Sequence, residues 1–383
     1  MDFNLTEVQQ DFMNLARDFG EKRLAPTIME REPSGIYDDA LIAELLSLGI
    51  TGAYFEEKYG GAGDDGGDVL SYILAVEELA KYDAGVSITL SATVSLCANP
   101  IWQFGTEEQK EKFLVPLVEG TKLGAFGLTE PNAGTDASGQ QTVAVKNDDG
   151  TYTLNGSKIF ITNGGHADIY IVFAMTDKSK GNHGITAFIL EDGMPGFTYG
   201  KKEDKMGIHT SVTMELVFQD VKVPAENMLG EEGKGFKIAM MTLDGGRIGV
   251  GAQALGIAEA ALADAVEYSK QRVQFGKPLC KFQSVSFKLA DMKMQIEAAR
   301  NLVYKAACLK QEGKPFTVEA AIAKRVASDV AMRVSTEAVQ IFGGYGYSEE
   351  YPAARHMRDA KITQIYEGTN EVQLMVTAGA LLR

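Results

Sequence analysis

Over the first 120 or so residues, apolar positions recur at intervals of three and four. This spacing predicts helices over 6–22, 37–48, 68–82, 86–104 and 107–118. The first has a sharp start: Thr6 and Gln9 have capping-box spacing, and Val8, Phe12, Leu15, Ala16 and Phe19 form one stripe. Turn residues mark the breaks, at Pro33-Ser34-Gly35 and in the Gly60 to Gly67 stretch. From about 121 to 229 the runs shorten and become β-branched. Thr151 to Leu154 and Lys158 to Ile161 flank Asn155-Gly156, which predicts a hairpin with a type I′ turn. Ile169 to Met175, Gly184 to Leu190 and Met214 to Val223 read as further strands. Helical spacing returns after about 230, over Gly246 to Gln271, 282–312, 316–341, 350–363 and 370–381.

The pattern predicts an α+β multi-domain chain. A helical domain over 1–120 is followed by a β-barrel or sandwich-like domain over 121–229 and a helical domain over 230–383, whose amphipathic spacing suits a four-helix bundle. Composition agrees, since 45% hydrophobic and 23% charged residues can build a large core in a globular chain. A net charge of −15 argues against a nucleic-acid partner. Three widely spaced cysteines form no disulfide framework, and four scattered histidines predict no metal site. No stretch reads as a targeting leader or as a bilayer span, so the expectation is a cytoplasmic protein without a membrane partner, the alternative being an organellar protein whose leader has been removed.

Candidate chemistry lies in five segments. Gly127-Leu128-Thr129-Glu130-Pro131-Asn132-Ala133-Gly134-Thr135-Asp136-Ala137-Ser138-Gly139 can offer N–H and hydroxyl groups to the polar edge of a flat ring, although an ordinary turn uses the same residues. Phe160, in Lys158 to Gly165, is either a stacking surface or a core aromatic. Arg272, in Tyr268 to Leu279, is either a phosphate ligand or a cation favoured at a helix C-terminus. Gln340-Ile341-Phe342-Gly343-Gly344-Tyr345-Gly346 ends a helix with more glycines than a cap requires. In Gln364-Ile365-Tyr366-Glu367-Gly368-Thr369-Asn370-Glu371, Glu367 sits beside apolar residues that would raise its pKa and a Gly that permits close approach. It is the best candidate for a general base, its alternative being a solvated loop charge. The GxGxxG within Gly60 to Gly66 is rejected as a dinucleotide fingerprint, because no strand precedes it and two Asp lie where a pyrophosphate would sit.

Taken together and in order, these segments resemble the acyl-CoA dehydrogenase family over essentially the whole chain. Gly127 to Gly139 is similar to the family's first signature and Gln340 to Asp359 to its second. The resemblance implies a homotetramer built as a dimer of dimers, with FAD as cofactor, acyl-CoA as substrate and an electron-transferring flavoprotein as partner. It places Phe126, Leu128, Thr129 and Thr135 at one flavin edge and Phe160 and Thr162 at the other side. It places Arg272, Gln274, Phe275 and Gln283, with Gln340, Gly343 and Gly344, at the pyrophosphate and adenine end of FAD in a neighbouring subunit. Thr369 and Glu371 complete that site. Thr135, Thr176, Asp244, Arg247, Tyr366 and Gly368 fall at substrate-contacting positions.

The resemblance implies that Glu367 is the catalytic base, which favours the short- and medium-chain branch, and it is strongest to the short-chain members that take butyryl-CoA to crotonyl-CoA or run the reverse. Gly246 stands where some branched-chain and long-chain relatives place their base. His209 stands where relatives commonly carry Arg. The competing expectations are medium-chain specificity, or a flavin-dependent oxidase or monooxygenase on the same scaffold.

Overall fold

The computed structural model describes residues 4–63 and 68–382. The Gly60 to Gly67 loop, with its GxGxxG, lies partly outside the described residues.

The N-terminal part is helical: α1 (Glu7–Phe19), α2 (Ile28–Ser34), α3 (Asp39–Leu46), α4 (Val69–Tyr82), α5 (Ala84–Ser91), α6 (Asn99–Phe104), α7 (Glu107–Gln109) and α8 (Val115–Val118). The Thr6–Gln9 capping box forms in both directions, at 3.3 and 3.0 Å. Helix α2 was not expected. Pro33, read as a break, sits inside it, and the chain leaves at Gly35 with φ +60°. Helices α5 and α6 join through wide π-type turns into one run, Ala84–Phe104. Contrary to the sequence reading, this run and the later Gly235–Gln271 are long and apolar enough to cross a membrane. Both are largely buried within the protein, and a helix enclosed on all sides is apolar all round for that reason.

The middle part carries β1 (Gly124–Gly127), β2 (Val143–Lys146), β3 (Tyr152–Thr162), β4 (Ile169–Met175), β5 (Ile185–Glu191), β6 (Phe197–Lys202), β7 (Thr213–Val223) and β8 (Met228–Leu229). They form one sheet in the order β6-β7-β3-β2-β4-β5-β8, with β1 parallel to β4. A single pairing, Val143 with Met175, joins β2 to β4, and there the sheet folds over on itself. Tyr170 of β4 therefore packs edge-on against Phe197 of β6, with centroids 4.9 Å apart.

The expected hairpin at Asn155-Gly156 does not form. Both residues lie inside the continuous strand β3, at a shift in its pairing with β7. Asn155 spends its amide on Asp220 of β7, donating from Nδ2 at 3.0 Å and accepting from the Asp220 N–H at 2.9 Å. Gly156 supplies φ +142° where a Cβ would press on Thr142. The turn that reverses the chain is 147–151, closed by the Asn147 N–H on the Thr151 carbonyl at 2.8 Å.

A small pair of strands, β9 (Val273–Gln274) and β10 (Lys277–Pro278), interrupts the C-terminal helices α9 (Gly235–Gln271), α10 (Gln283–Gln311), α11 (Thr317–Phe342), α12 (Pro352–Thr363) and α13 (Asn370–Leu381). Helix α9 starts eleven residues before the expected Gly246. Gly245 and Gly246 sit within it, and other side chains occupy the space of their missing Cβ atoms: Lys310 at Gly245 and Glu367 at Gly246.

Candidate active site

Glu367 lies on the loop 364–369 between α12 and α13, and its backbone is left-handed at φ +53°, followed by Gly368 at +90°. A non-glycine residue in that region is strained, and such strain persists only where the surroundings over-determine it. Here the loop is held from two sides. Arg247 of α9 donates from Nε to the Glu367 carbonyl at 3.4 Å, and Lys324 of α11 donates from Nζ to the Gly368 carbonyl at 2.8 Å. Gln373 adds a second bond to the Gly368 carbonyl at 2.8 Å, and the Tyr366 hydroxyl donates to Gln253.

The Glu367 side chain points to α9. Its Oε2 is buried without a hydrogen-bond partner. It occupies the space of a Cβ at Gly246, a position 2.9 Å from Cδ2 of buried Leu96. Burial pushes the carboxyl up to about 7, against the opposing pull of Arg247 and Lys324. The Glu367 N–H also has no backbone acceptor among the described residues. One residue thus presents an unbonded carboxylate oxygen and an unbonded N–H, the pair that proton abstraction beside a carbonyl requires.

Arg247 donates to Asp244 at 2.6 Å, and Thr317 donates to the other Asp244 oxygen at 2.7 Å. Arg247 is buried, so its guanidinium is a fixed part of the wall. Thr369 caps α13, accepting from the Val372 N–H at 3.4 Å, and Glu371 stands exposed in the first turn.

The Gly127 to Gly139 loop is an exposed polar loop pinned from beneath. Lys158, fully buried on β3, donates to Glu130 at 2.7 Å, to Gln140 at 2.9 Å and to the Leu128 carbonyl at 3.2 Å. Glu130 in turn accepts from the N–H groups of Gln141 and Thr142. Thr135 is left exposed and Leu128 buried, while Phe126 packs on Phe173 with centroids 5.1 Å apart. The Ile159 N–H bonds the Thr129 carbonyl at 2.9 Å. That tie holds a bulge in β3, where the pairing with β7 skips from Lys158 to Ile161. The bulge puts Phe160 at φ +59° and turns its ring outward, 60% exposed, with Thr162 half-buried beside it. A strained, exposed aromatic ring at a pinned polar loop suits the face of a flat cofactor better than it suits a core.

The candidates for the pyrophosphate and adenine end of the cofactor are exposed. Arg272 lies over the Tyr345 ring at 5.4 Å, next to Gly343 and Gly344. Gln274, Gln283 and Gln340 are exposed, and Phe275, at φ +52°, is 94% exposed. Thr176 has its hydroxyl bonded to the Gly184 carbonyl and the Thr186 hydroxyl. His209 approaches Glu32 at 2.8 Å. Sequence reasoning missed Lys324, Lys158 and Gln253, each a buried polar residue inside an element of otherwise ordinary composition. Spacing carries no signal for them.

Among the described residues no His, Cys, Asp or Glu cluster could hold a metal ion. A separate cleft of about 750 Å³, lined by Asp264, Arg355 and His356 among others, contains none of the candidate residues.

Comparison with known proteins gives a consistent picture. Residues 6–121, 125–221 and 233–382 match the acyl-CoA dehydrogenase N-terminal, middle and C-terminal domain models. The short-chain specific acyl-CoA dehydrogenase of Megasphaera elsdenii is 92% identical over 383 residues, covering 100% of both chains. The solved structure of butyryl-CoA dehydrogenase from Megasphaera elsdenii superposes with a TM-score of 0.99, at 92% identity and full coverage of both. A chain in a structure of the electron transferring flavoprotein of Acidaminococcus fermentans is 66% identical, with a TM-score of 0.98 and 100% coverage of both.

Proposed function

The chain belongs to the acyl-CoA dehydrogenase family, and we propose that it dehydrogenates short-chain acyl-CoA thioesters, butyryl-CoA to crotonyl-CoA, with Glu367 as the base. The observation that carries this reading is the buried, unpartnered carboxylate oxygen Oε2 of Glu367, on a residue whose N–H has no backbone acceptor among the described residues. The thioester oxygen accepts the Glu367 N–H, which stabilises the enolate-like charge, while the carboxylate takes the α-proton. A pKa of about 7 suits a base working near neutrality. Asp244, Arg247, Tyr366 and Gly368 line the approach to it, with Thr135 and Thr176 as further contacts to the CoA.

The family depends on FAD, and the residues present fit that group. Phe126, Leu128, Thr129 and Thr135 meet one edge of the flavin, Phe160 and Thr162 lie at its other side, and Thr369 and Glu371 complete the site. When bound, FAD supplies the acceptor for the hydride that leaves the β-carbon. The exposed set around Arg272 and Phe275 sits apart from the base on its own subunit's surface, which favours a role toward a neighbouring subunit in a dimer of dimers. Electron exchange then runs through an electron-transferring flavoprotein, and the likeness to a chain from such a structure supports that partner. We read the chain as three domains divided near residues 120 and 229, working in the cytoplasm.

Anaerobic titration of the FAD-loaded protein with butyryl-CoA tests the reading. Flavin absorbance bleaches with the parent protein, and Glu367→Gln slows bleaching by ~100-fold or more while keeping the yellow cofactor. Bleaching at the parental rate in Glu367→Gln removes Glu367 from the role.

A further inference from the structure

We propose that Lys324 is a positioning residue for Glu367: its ammonium, reaching from α11, fixes the loop that carries the base and supplies the charge that faces it. This rests on the reading of Glu367 as base.

Lys324 is fully buried, and its Nζ donates to the Gly368 carbonyl at 2.8 Å and to Asn370 Oδ1 at 2.9 Å. No carboxylate among the described residues stands within ion-pair distance of it. An ammonium buried without a paired anion is destabilising, whereas a methionine of similar length would fill the space without that cost. A tether alone does not require it, because neighbouring groups on α11 already hold the segment. Asn370 Nδ2 donates to Ser328 at 2.9 Å and to Asp329 at 2.8 Å, Gln364 donates to Asp329 at 2.7 Å, and Arg325 donates to the Asn370 carbonyl at 3.2 Å.

What Lys324 adds is orientation and charge at the strained residues themselves. Two successive carbonyls, those of Glu367 and Gly368, are held by cations from two different helices, Arg247 on α9 and Lys324 on α11. That pair of bonds fixes the peptide between them and so the direction in which the Glu367 side chain leaves. The other charged or titratable groups facing the pair are Tyr72 on α4, Arg325 and Asp329 on α11, Tyr366 on the loop and Glu371 on α13. Lys324 and Glu367 interact through space rather than by an ion pair: burial lowers the Lys324 ammonium to about 7, and each group favours the ionised form of the other.

The test compares FAD-loaded parent, Lys324→Met, Lys324→Gln and Glu367→Gln, by steady-state turnover of butyryl-CoA across pH and by amide hydrogen exchange of residues 366–370. In Lys324→Met, kcat falls ~10-fold or more with KM within about threefold, and the acid limb of kcat/KM moves to higher pH. Loop exchange accelerates. Lys324→Gln, an uncharged donor, recovers exchange protection but keeps the displaced limb. A Lys324→Met protein with a lowered Tm but parental kcat and an unmoved limb overturns the proposal. If that variant does not fold, the limb in Lys324→Gln decides: displaced supports the proposal, unmoved overturns it. Parental turnover in Glu367→Gln would instead overturn the base reading. An inactive Glu367→Gln beside an unaffected Lys324→Met overturns the role of Lys324 alone.

Discussion

The Glu367 carboxylate occupies the space that a side chain on Gly246 would fill. The two residues are 121 positions apart, on a C-terminal loop and in the first third of α9, yet neither is intelligible without the other. The glycine is an opening in a long helix, and the carboxylate is what that opening admits. Gly246 lies inside a helix, where glycine is about 1 kcal/mol worse than alanine, so the opening has a local cost.

Gly246→Ala therefore raises helix propensity and displaces the base. Its methyl group meets Oε2 and lies 2.9 Å from both Glu367 Cδ and Leu96 Cδ2. We expect kcat to fall ~10-fold or more with FAD content unchanged, read by single-turnover bleaching against cofactor absorbance. Unchanged bleaching would mean that the carboxylate need not sit against α9.

The carboxyl of Glu367 is raised from 4.5 to about 7, so its ionised form is disfavoured in the folded state. Activity requires that form, and kcat/KM should decline as pH drops below about 7. For stability the sign is opposite. The folded protein holds the proton more tightly than the unfolded chain, so stability declines as pH rises from 4.5 toward 7. Glu367→Gln removes that decline, worth up to roughly 3 kcal/mol. Urea unfolding of apoprotein at acid and alkaline pH measures it, and parallel pH profiles for parent and variant would refute it.

Lys158 anchors the loop whose outer side is exposed at Thr135. Lys158→Met leaves Glu130 buried without its cation, and the expected loss is about 3–5 kcal/mol in urea unfolding. FAD affinity should weaken as well, because the Leu128 carbonyl and Gln140 lose their common donor. Unaltered FAD affinity in a destabilised protein would confine Lys158 to a structural role.

Phe160 combines a left-handed backbone with a 60% exposed ring. Asn accepts that backbone more readily. Phe160→Asn should stabilise the apoprotein by about 1 kcal/mol while weakening FAD binding. Thermal melts and FAD titration are the two readings. A variant that binds FAD as tightly as the parent would separate Phe160 from the cofactor.

Local features were legible because they are local. The Thr6–Gln9 capping box needs only four consecutive residues, and it forms as read. The long apolar periodicities of α9, α10 and α11 and the β-branched run Ile169 to Met175 likewise state their own structure. Asn155-Gly156 shows the limit. The dipeptide has turn chemistry, but Asp220 from another strand engages the Asn side chain and draws the pair into a bulge. The apolar run Ala84–Phe104 matches a membrane span in composition, and only the surrounding layers identify it as an interior helix.

By itself the sequence determined the order of helical and β segments, the family, and one acidic residue between Tyr366 and Gly368 as the candidate base. The order of segments follows from residues close together in the chain, where steric preference and periodicity act, and the family from the resemblance of five ordered segments along it. The tertiary structure alone decided that one oxygen of this acid is buried without a hydrogen-bond partner. It also decided that Gly246 makes room for it, and that Arg247 and Lys324 reach it from separate helices. Those are properties of packed surfaces. Desolvation and charge act through space, and no spacing along the chain encodes which distant side chains will share one low-dielectric volume.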